Sequence, residues 1–525
     1  MQLAAGLVLA GFDGTEVADP AFIARCAGTI LFARNVVDAR QTSALVRSLQ
    51  AAAAQAGAPP LIVAVDEEGG TVSRIAAIGT RMPSAMALGA GHLFARTRAV
   101  YRASAEEMSE LGITLDLAPV ADLTGAGPDP VIGTRSFGGD PARVADHVRA
   151  AIEGLHDGGV ATAAKHFPGH GDVPADSHVE LPHVERDIER LRRVEFVPFR
   201  AAIEAGTDCV MSAHLALPLI DDSRAPATLS RPLLGDLLRG ELGYAGVICT
   251  DCLEMKAIAA NWSPGEAAVA ALHAGADLLL FSSSAAAALE AIAAVDRAIE
   301  DGTLSETRVR ESLARIDALR RHRWSVTTEG DFSRLGSDLH RRLAEDAVRA
   351  SITVVRDPNG VLPMPADAAT RTFVVQFLGA DDGGHASSGK VSTAFGKRLA
   401  GARPRVQEQI RSLDPAGQEF KQLLMASAAA DTIVAVTRDA TAHPLQARAV
   451  GDLSLAGKPL IVVASRSPFD AAIAPPDAAV IATYGDDDLS LAAAADVILG
   501  VSAASGVSPV TLGSAAGVAA LRPSP

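Results

Sequence analysis

The chain has 525 residues, is 48% hydrophobic but only 4% aromatic, and carries a net charge of −15. That length exceeds what a single hydrophobic core serves, so two or three domains are expected. An acidic balance without a Lys/Arg cluster argues against nucleic acid or an anionic membrane as partner, and four cysteines make no disulfide framework.

The chain opens on an apolar run that could pass for the core of a signal peptide. No Lys or Arg precedes it, however, and Gly11-Phe12-Asp13-Gly14 follows where a small-residue cleavage site would stand. It reads instead as a first β-strand, 6–12. Further strand-like apolar runs follow at 28–33, 61–66, 114–120, 160–167, 209–214, 246–251 and 276–282. Between them, 39–56, 141–155, 186–205 and 285–300 show helical periodicity. Continuous apolar strands alternating with helices imply a parallel sheet covered by helices. Eight such units predict an α/β fold of the (β/α)8 TIM-barrel type, with an open doubly wound sheet as the alternative. The strands end on polar residues, among them Asp66, Asp122, Lys165, His166, His214, Asp251 and Ser282. In a barrel those ends converge on one face, where active sites are built.

Residues 304–350 are helical and charged, with a boundary near 325–335. The expected domains are a catalytic barrel with its linker, 1–330, and a C-terminal domain, 331–525. In the latter, 351–357, 372–379, 432–439, 459–465 and 479–485 read as buried parallel strands, and 406–430 and 487–499 as helices. That pattern predicts a three-layer α/β/α sandwich. No Gly-rich phosphate-binding turn opens any of its helices. No stretch is apolar enough to cross a bilayer, so a soluble, cytoplasmic protein without membrane contact is expected.

The densest chemistry lies in KHFPGHGDVPADSHVELP, residues 165–182. His166, His170, Asp172 and His178 could be metal ligands, but their spacing matches no known zinc pattern. A solvated polar loop is a second reading. The third is catalytic: Asp176 stands two residues before His178, and a carboxylate that orients an imidazole makes it an acid/base near neutrality. Asp251, closing the seventh strand, supplies a carboxylate that could act as a nucleophile or simply cap a helix. Cys249 and Cys252 form a C-x-x-C spacing. Cys249 lies inside the strand rather than at a helix start, which makes both packing residues rather than a redox pair.

Taken together, KHFPGHGD…DSH, TDCLEM, VDEEGGTVSR and IGTRSF resemble glycoside hydrolase family 3, and within it the NagZ-like β-N-acetylglucosaminidase branch. The resemblance covers the whole barrel and thins out in the second domain. It implies that Asp251 is the catalytic nucleophile and that His178, oriented by Asp176, is the general acid/base. It also implies that Asp66, Arg74, Arg135, Lys165 and His166 hold the sugar's hydroxyls, and that Met211 and His214 form the pocket wall on strand six. Cys252 follows the nucleophile where the family often has Asp or Ala.

The implied activity is that of a cofactor-free, metal-free retaining exo-β-N-acetylglucosaminidase acting on small carbohydrates such as muropeptide or chitin fragments. An ionised Asp and a near-neutral His meet the demand for one nucleophile and one acid without a strongly shifted carboxylic acid. The same machinery would also serve phosphate as acceptor, or a β-glucoside as substrate. A non-catalytic sugar-binding protein is the rival from a different class. The aglycone, the oligomeric state and the purpose of the second domain are not encoded in these motifs.

Overall fold

The computed structural model describes residues 3–17, 19–125, 127–173, 181–322, 331–367, 369–378 and 394–512. Eight strands build the first unit: β1 Val8–Ala10, β2 Gly28–Leu31, β3 Ile62–Val65, β4 Leu115–Asp116, β5 Ala161–Phe167, β6 Cys209–Ser212, β7 Val247–Thr250 and β8 Leu279–Phe281. Each pairs in parallel with its sequence neighbour from β1 to β7, and β1 also pairs with β8. A parallel bridge between Cys249 and Leu278 joins β7 to the start of β8 and closes the cylinder. Every strand residue is buried, as expected for strands covered by helices outside and side chains within.

Two local expectations are corrected. The strand expected over 114–120 pairs regularly only at Leu115–Asp116, with a separate bridge from Val120 to Lys165. Pro119 has no N–H to give a ladder, which interrupts it. The helix expected over 186–205 is two helices, Ile188–Arg193 and Phe196–Glu204. Pro198 cannot donate to the carbonyl four residues back, so it is tolerated only in the first turn of a new helix.

The second unit is a six-stranded sheet built from β9 Thr353–Arg356, β10 Thr372–Phe377, β11 Val406–Arg411, β12 Thr432–Arg438, β13 Leu460–Ser465 and β14 Ala479–Ala482. Its order is β11-β10-β12-β13-β14-β9. Successive residues of its strands feed opposite faces. Val374, Val434 and Ile461 pack with Phe395, Leu399 and Ile498, while Phe373, Ile433 and Leu460 pack with Leu423, Val450 and Leu453. That period of two makes the three-layer sandwich.

Here too the structure corrects the reading. Residues 406–411 are not helical: VQEQIR runs parallel to β10 through six paired residues, with its polar side chains at a half-exposed edge. The helix is confined to Gly417–Ala428. β9 is antiparallel to β14, not parallel. It leaves the helix Asp338–Ser351 after a single residue, so that helix sets its direction, and an antiparallel edge on a parallel sheet is a common solution.

The helix Asp338–Ser351 is the joint between the two units. Ala344 and Ala347 belong to the barrel's core, Val348 to the core of the sandwich. At its start His340 Nδ1 lies 2.8 Å from Glu107 Oε1, and Glu107 also accepts from Thr80 N, Thr80 Oγ1 and Gly336 N. A second apolar contact joins Met86, Ala87 and Ala90 of the barrel to Phe469, Ala482 and Tyr484, and Ser84 Oγ donates to Tyr484 O at 2.7 Å. Among the described residues no helix is long and apolar enough to cross a membrane.

The hydrogen bond to Glu107 raises the His340 pKa above its ordinary 6.5; burial opposes this, and the charges of Glu107 and Glu106 reinforce it. A raised folded-state value stabilises the protonated fold below the unfolded pKa, and that stability is lost as pH rises through the folded value. The urea midpoint should therefore fall as pH is raised from about 6.5. His340→Gln should flatten this slope; an unchanged slope would mean that His340 is not the titrating group.

Candidate active site

The carboxyl end of β3 carries three acids in a row, and each has its own task. Glu67 turns inward: its amide donates to Asp116 Oδ1, and its carboxylate accepts from Ser73 Oγ, Arg74 N and Ile75 N. This clamps the loop that follows, so that Arg74 Nη2 comes to 3.6 Å from Asp66 Oδ2. The turn requires Gly69, whose φ is 83° and where a Cβ would lie 2.4 Å from Pro83 O. Asp66 and Glu68 face the barrel mouth.

β5 reaches the same space through an irregularity. Ala164 pairs with Val210 but Phe167 pairs with Ser212, so three steps on β5 match two on β6. A bulge of this kind lets consecutive residues address one side. Lys165 Nζ lies 2.8 Å from Asp66 Oδ1 and 2.5 Å from Glu68 Oε1. Glu68 in turn receives a fork from Arg135, Nε at 2.8 Å and Nη2 at 2.9 Å. Arg135 Nη2 is 3.4 Å from His166 Nε2, and His166 Nδ1 is 2.7 Å from Asp122 Oδ2. The result is one continuous, largely buried chain of charged and polar groups: Asp66, Lys165, Glu68, Arg135, His166, Asp122.

Their protonation follows from that pairing. Burial alone would raise Glu68, but the charges of Arg135 and Lys165 outweigh it and hold the carboxyl well below the usual range. Asp122 is likewise pushed up by burial and held low by His166. Burial would discharge Lys165, yet Asp66 and Glu68 keep it cationic. His170, buried beside His166, is pushed down to about 4 and is neutral.

Asp251 follows β7 directly. Its amide donates to Ser212 O, and its Oδ1 accepts from Cys252 N at 2.7 Å. Burial pushes its carboxyl up. The charges of His214 and His166, the Cys252 amide and Lys165 together hold it below the ordinary value, as an anion. His214 is fixed from both sides, Nδ1 at 2.8 Å from Thr228 Oγ1 and Nε2 at 2.9 Å from Cys252 O. Met211 lies buried within β6 as part of the barrel core.

The matched family profile, described as Glycosyl hydrolase family 3 N terminal domain, covers residues 16–319. The chain belongs to glycosyl hydrolase family 3. It is 34% identical over 367 residues to a Beta-hexosaminidase A of Pseudoalteromonas piscicida, covering 65% of this chain and spanning 61% of that relative. A Beta-hexosaminidase of Tolumonas auensis is 39% identical over 317 residues, 59% of this chain and 86% of that one. A family 3 beta-N-acetylglucosaminidase from Paenibacillus sp. str. FPU-7 superposes with a TM-score of 0.89 at 35% identity, over 97% of this chain and 98% of that one.

Within this family 3 barrel the structure brings Asp66, Arg74, Arg135, Lys165, His166, His214 and Asp251 to one mouth. Asp176 and His178 lie outside the described residues. The flanks of their segment are pinned: Arg186 donates to Gly169 O at 2.9 Å and to Gly171 O, Asp172 Oδ1 accepts from Gly125 N at 2.6 Å, and His183 bridges to Ala216. Asp172 accepts from backbone and His166 Nδ1 lies 2.7 Å from Asp122 Oδ2. Among the described residues no group of three or more His, Cys, Asp or Glu side chains could hold a metal ion. All four cysteines are unpaired, and burial pushes Cys249 and Cys252 up to about 12, in keeping with a packing role.

Glu68 was not among the residues singled out from sequence, although it stands at the centre of this chain, and Asp122, at the chain's far end, was noted only as a polar strand end without a site role. The signal was the doubled acid after Asp66: a strand end rarely keeps three consecutive carboxylates without partners for them. Replacing Glu68 by Ala leaves Lys165 and Arg135 without their shared anion. The expected cost is about 3–5 kcal/mol of unfolding free energy, read from urea denaturation. A loss under about 1 kcal/mol would mean that the two cations are hydrated rather than paired.

Proposed function

We propose that the chain is a retaining exo-β-N-acetylglucosaminidase, cleaving terminal β-linked GlcNAc from small glycosides such as muropeptide or chitin fragments. The observation that carries this reading is Asp251, an anion held at the barrel mouth beside a fixed array of charged hydrogen-bonding groups. Asp251 attacks the anomeric carbon as the glycosidic C–O bond breaks, and His178 protonates the departing oxygen. In the second half, His178 takes a proton from water, whose oxygen attacks the same carbon and releases Asp251. Asp176 orients the imidazole. Asp66, Arg74, Arg135, Lys165 and His166 hold hydroxyls through charge-assisted hydrogen bonds, and His214 steadies the nucleophile's charge.

The preference for GlcNAc follows the relatives named beta-hexosaminidase and beta-N-acetylglucosaminidase. We place the protein in the cytoplasm, in the turnover of cell-wall sugars; four unpaired cysteines fit a reducing compartment. Chromogenic β-GlcNAc should be turned over in preference to β-glucoside, at a rate independent of added phosphate. A phosphate-dependent rate with release of a sugar 1-phosphate would replace water by phosphate as acceptor.

Asp251→Ala should abolish turnover without unfolding the chain, and a mechanism-based fluorosugar should label Asp251; substantial residual activity would remove it from the nucleophile's role. For His178→Ala the loss should depend on the leaving group: about 10²–10⁴-fold on glycosides with basic alkoxide leaving groups, and far less in the first step with acidic phenols. Equal slowing across a series of aryl GlcNAc glycosides would refute the acid role.

A further inference from the structure

The amino-terminal end of the barrel, away from Asp251, holds a second concentration of charge. Asp277, fully buried just before β8, accepts from Ile248 N at 3.0 Å and from Ser312 Oγ at 2.7 Å. Three guanidinium groups converge on it: Arg239, Arg308 at 3.2 Å and Arg315 at 3.1 Å. One carboxylate cannot balance three cations. Burial lowers the pKa of Arg239 below the usual arginine range; Asp277 opposes this, and the charges of Arg315 and Arg308 add to it.

These arginines border a cavity of about 520 Å³, inside the ~300–1,000 Å³ typical of small-molecule sites. Arg231 and Glu311 also line it. Four cations against Asp277 and Glu311 leave two positive charges in surplus, in a chain whose net charge is −15. Two of the four are engaged on all sides. Arg308 donates to Asp277, Ser312 Oγ and Ala276 O, and Arg239 to Asp277, Tyr244 O and Gly246 O. The other two keep donors in hand. Arg315 gives only Nη1 to Asp277, and 31% of its side chain is exposed. The exposed Arg231 guanidinium has no hydrogen-bond or ion-pair partner among the described residues. Arg231 leads into, and Arg239 lies within, the π-helix Pro232–Glu241. Helices of this wide form are rare and recur at functional sites.

We propose that this cavity binds a phosphate group, either free or carried by a small organic molecule. A phosphate monoester carries about −1.5 to −2 charges at pH 7, which matches the surplus. Its oxygens can accept guanidinium forks from Arg231 and Arg315 together, whereas a flat carboxylate is satisfied by one fork. The inference is independent of the glycosidase reading. The cavity lies at the opposite end of β7 from Asp251, on the barrel face whose contacts serve stability. Occupancy should therefore stabilise the fold by mass action.

The test uses the full chain at constant ionic strength. Binding of inorganic phosphate, glycerol 3-phosphate and acetate is followed by calorimetry, and the urea midpoint is read with and without each. A phosphate compound should bind one to one and raise the midpoint; acetate should do neither. Tighter binding of glycerol 3-phosphate assigns the site to an organic phosphate, and equal or tighter binding of inorganic phosphate assigns it to the free ion. Arg231→Gln combined with Arg315→Gln should weaken binding at least about tenfold, through loss of charge-assisted hydrogen bonds. Arg231→Gln alone removes no ion pair, so it should keep the midpoint measured without phosphate while weakening binding about threefold or more. The site is overturned if neither phosphate compound binds at about 10 mM, or if acetate binds as tightly. It is also overturned if both variants keep the parent's affinity, which would place the anion elsewhere on the chain.

Discussion

A carboxylate almost entirely removed from water must be paired, and Glu68 meets that demand with two cations drawn from different parts of the barrel. Lys165 comes from the bulge in β5, and Arg135 from the long loop after β4. Satisfying one buried charge therefore ties three strand ends together. The same two cations pass the constraint on, Lys165 to Asp66 and Arg135 towards His166, which Asp122 then holds. None of these groups is free to reorient alone. In the proposed reaction a sugar arriving at this mouth meets hydrogen-bonding groups already in position, the arrangement that makes electrostatic catalysis cheap at the moment of reaction.

Asp251 depends on that network without belonging to its chain of contacts. Burial by itself would neutralise its carboxyl; the positive groups around it keep it ionised. In the nucleophile's role proposed for it, Asp251 must be both sheltered and charged, two demands that oppose each other in a low-dielectric pocket. His214, His166 and Lys165 resolve the opposition by charge, and Cys252 N by a direct hydrogen bond. The polarity of the barrel mouth is thus what permits the buried anion.

The second unit is joined to the barrel by more than a tether. The helix Asp338–Ser351 shares its side chains between two cores, and the patch around Met86 and Tyr484 seals a second contact. These contacts bring the carboxyl ends of β12 and β13 over the barrel loop that carries Arg135.

Much of this was legible in the chain. Periodicity located the barrel strands, because strands buried on both faces must be apolar throughout, and the polar residues ending them marked the reactive face. The roles expected of Asp251, His178 and Asp176 came from the family resemblance of their motifs rather than from spacing alone. Local pattern failed where distant partners decide conformation. VQEQIR at 406–411 has no strong apolar alternation, and it became a strand only because β10 offered an unpaired edge; β9 ran antiparallel because a docked helix aimed it. The same limit hid Glu68, and left Asp122 a polar strand end without a partner. A carboxylate at a strand end looks alike in sequence whether it faces water or two buried cations. Only closure of the barrel, which brings residues 66–68, 122, 135 and 165–166 within hydrogen-bonding distance, decided which charges were paired and therefore which were held in place.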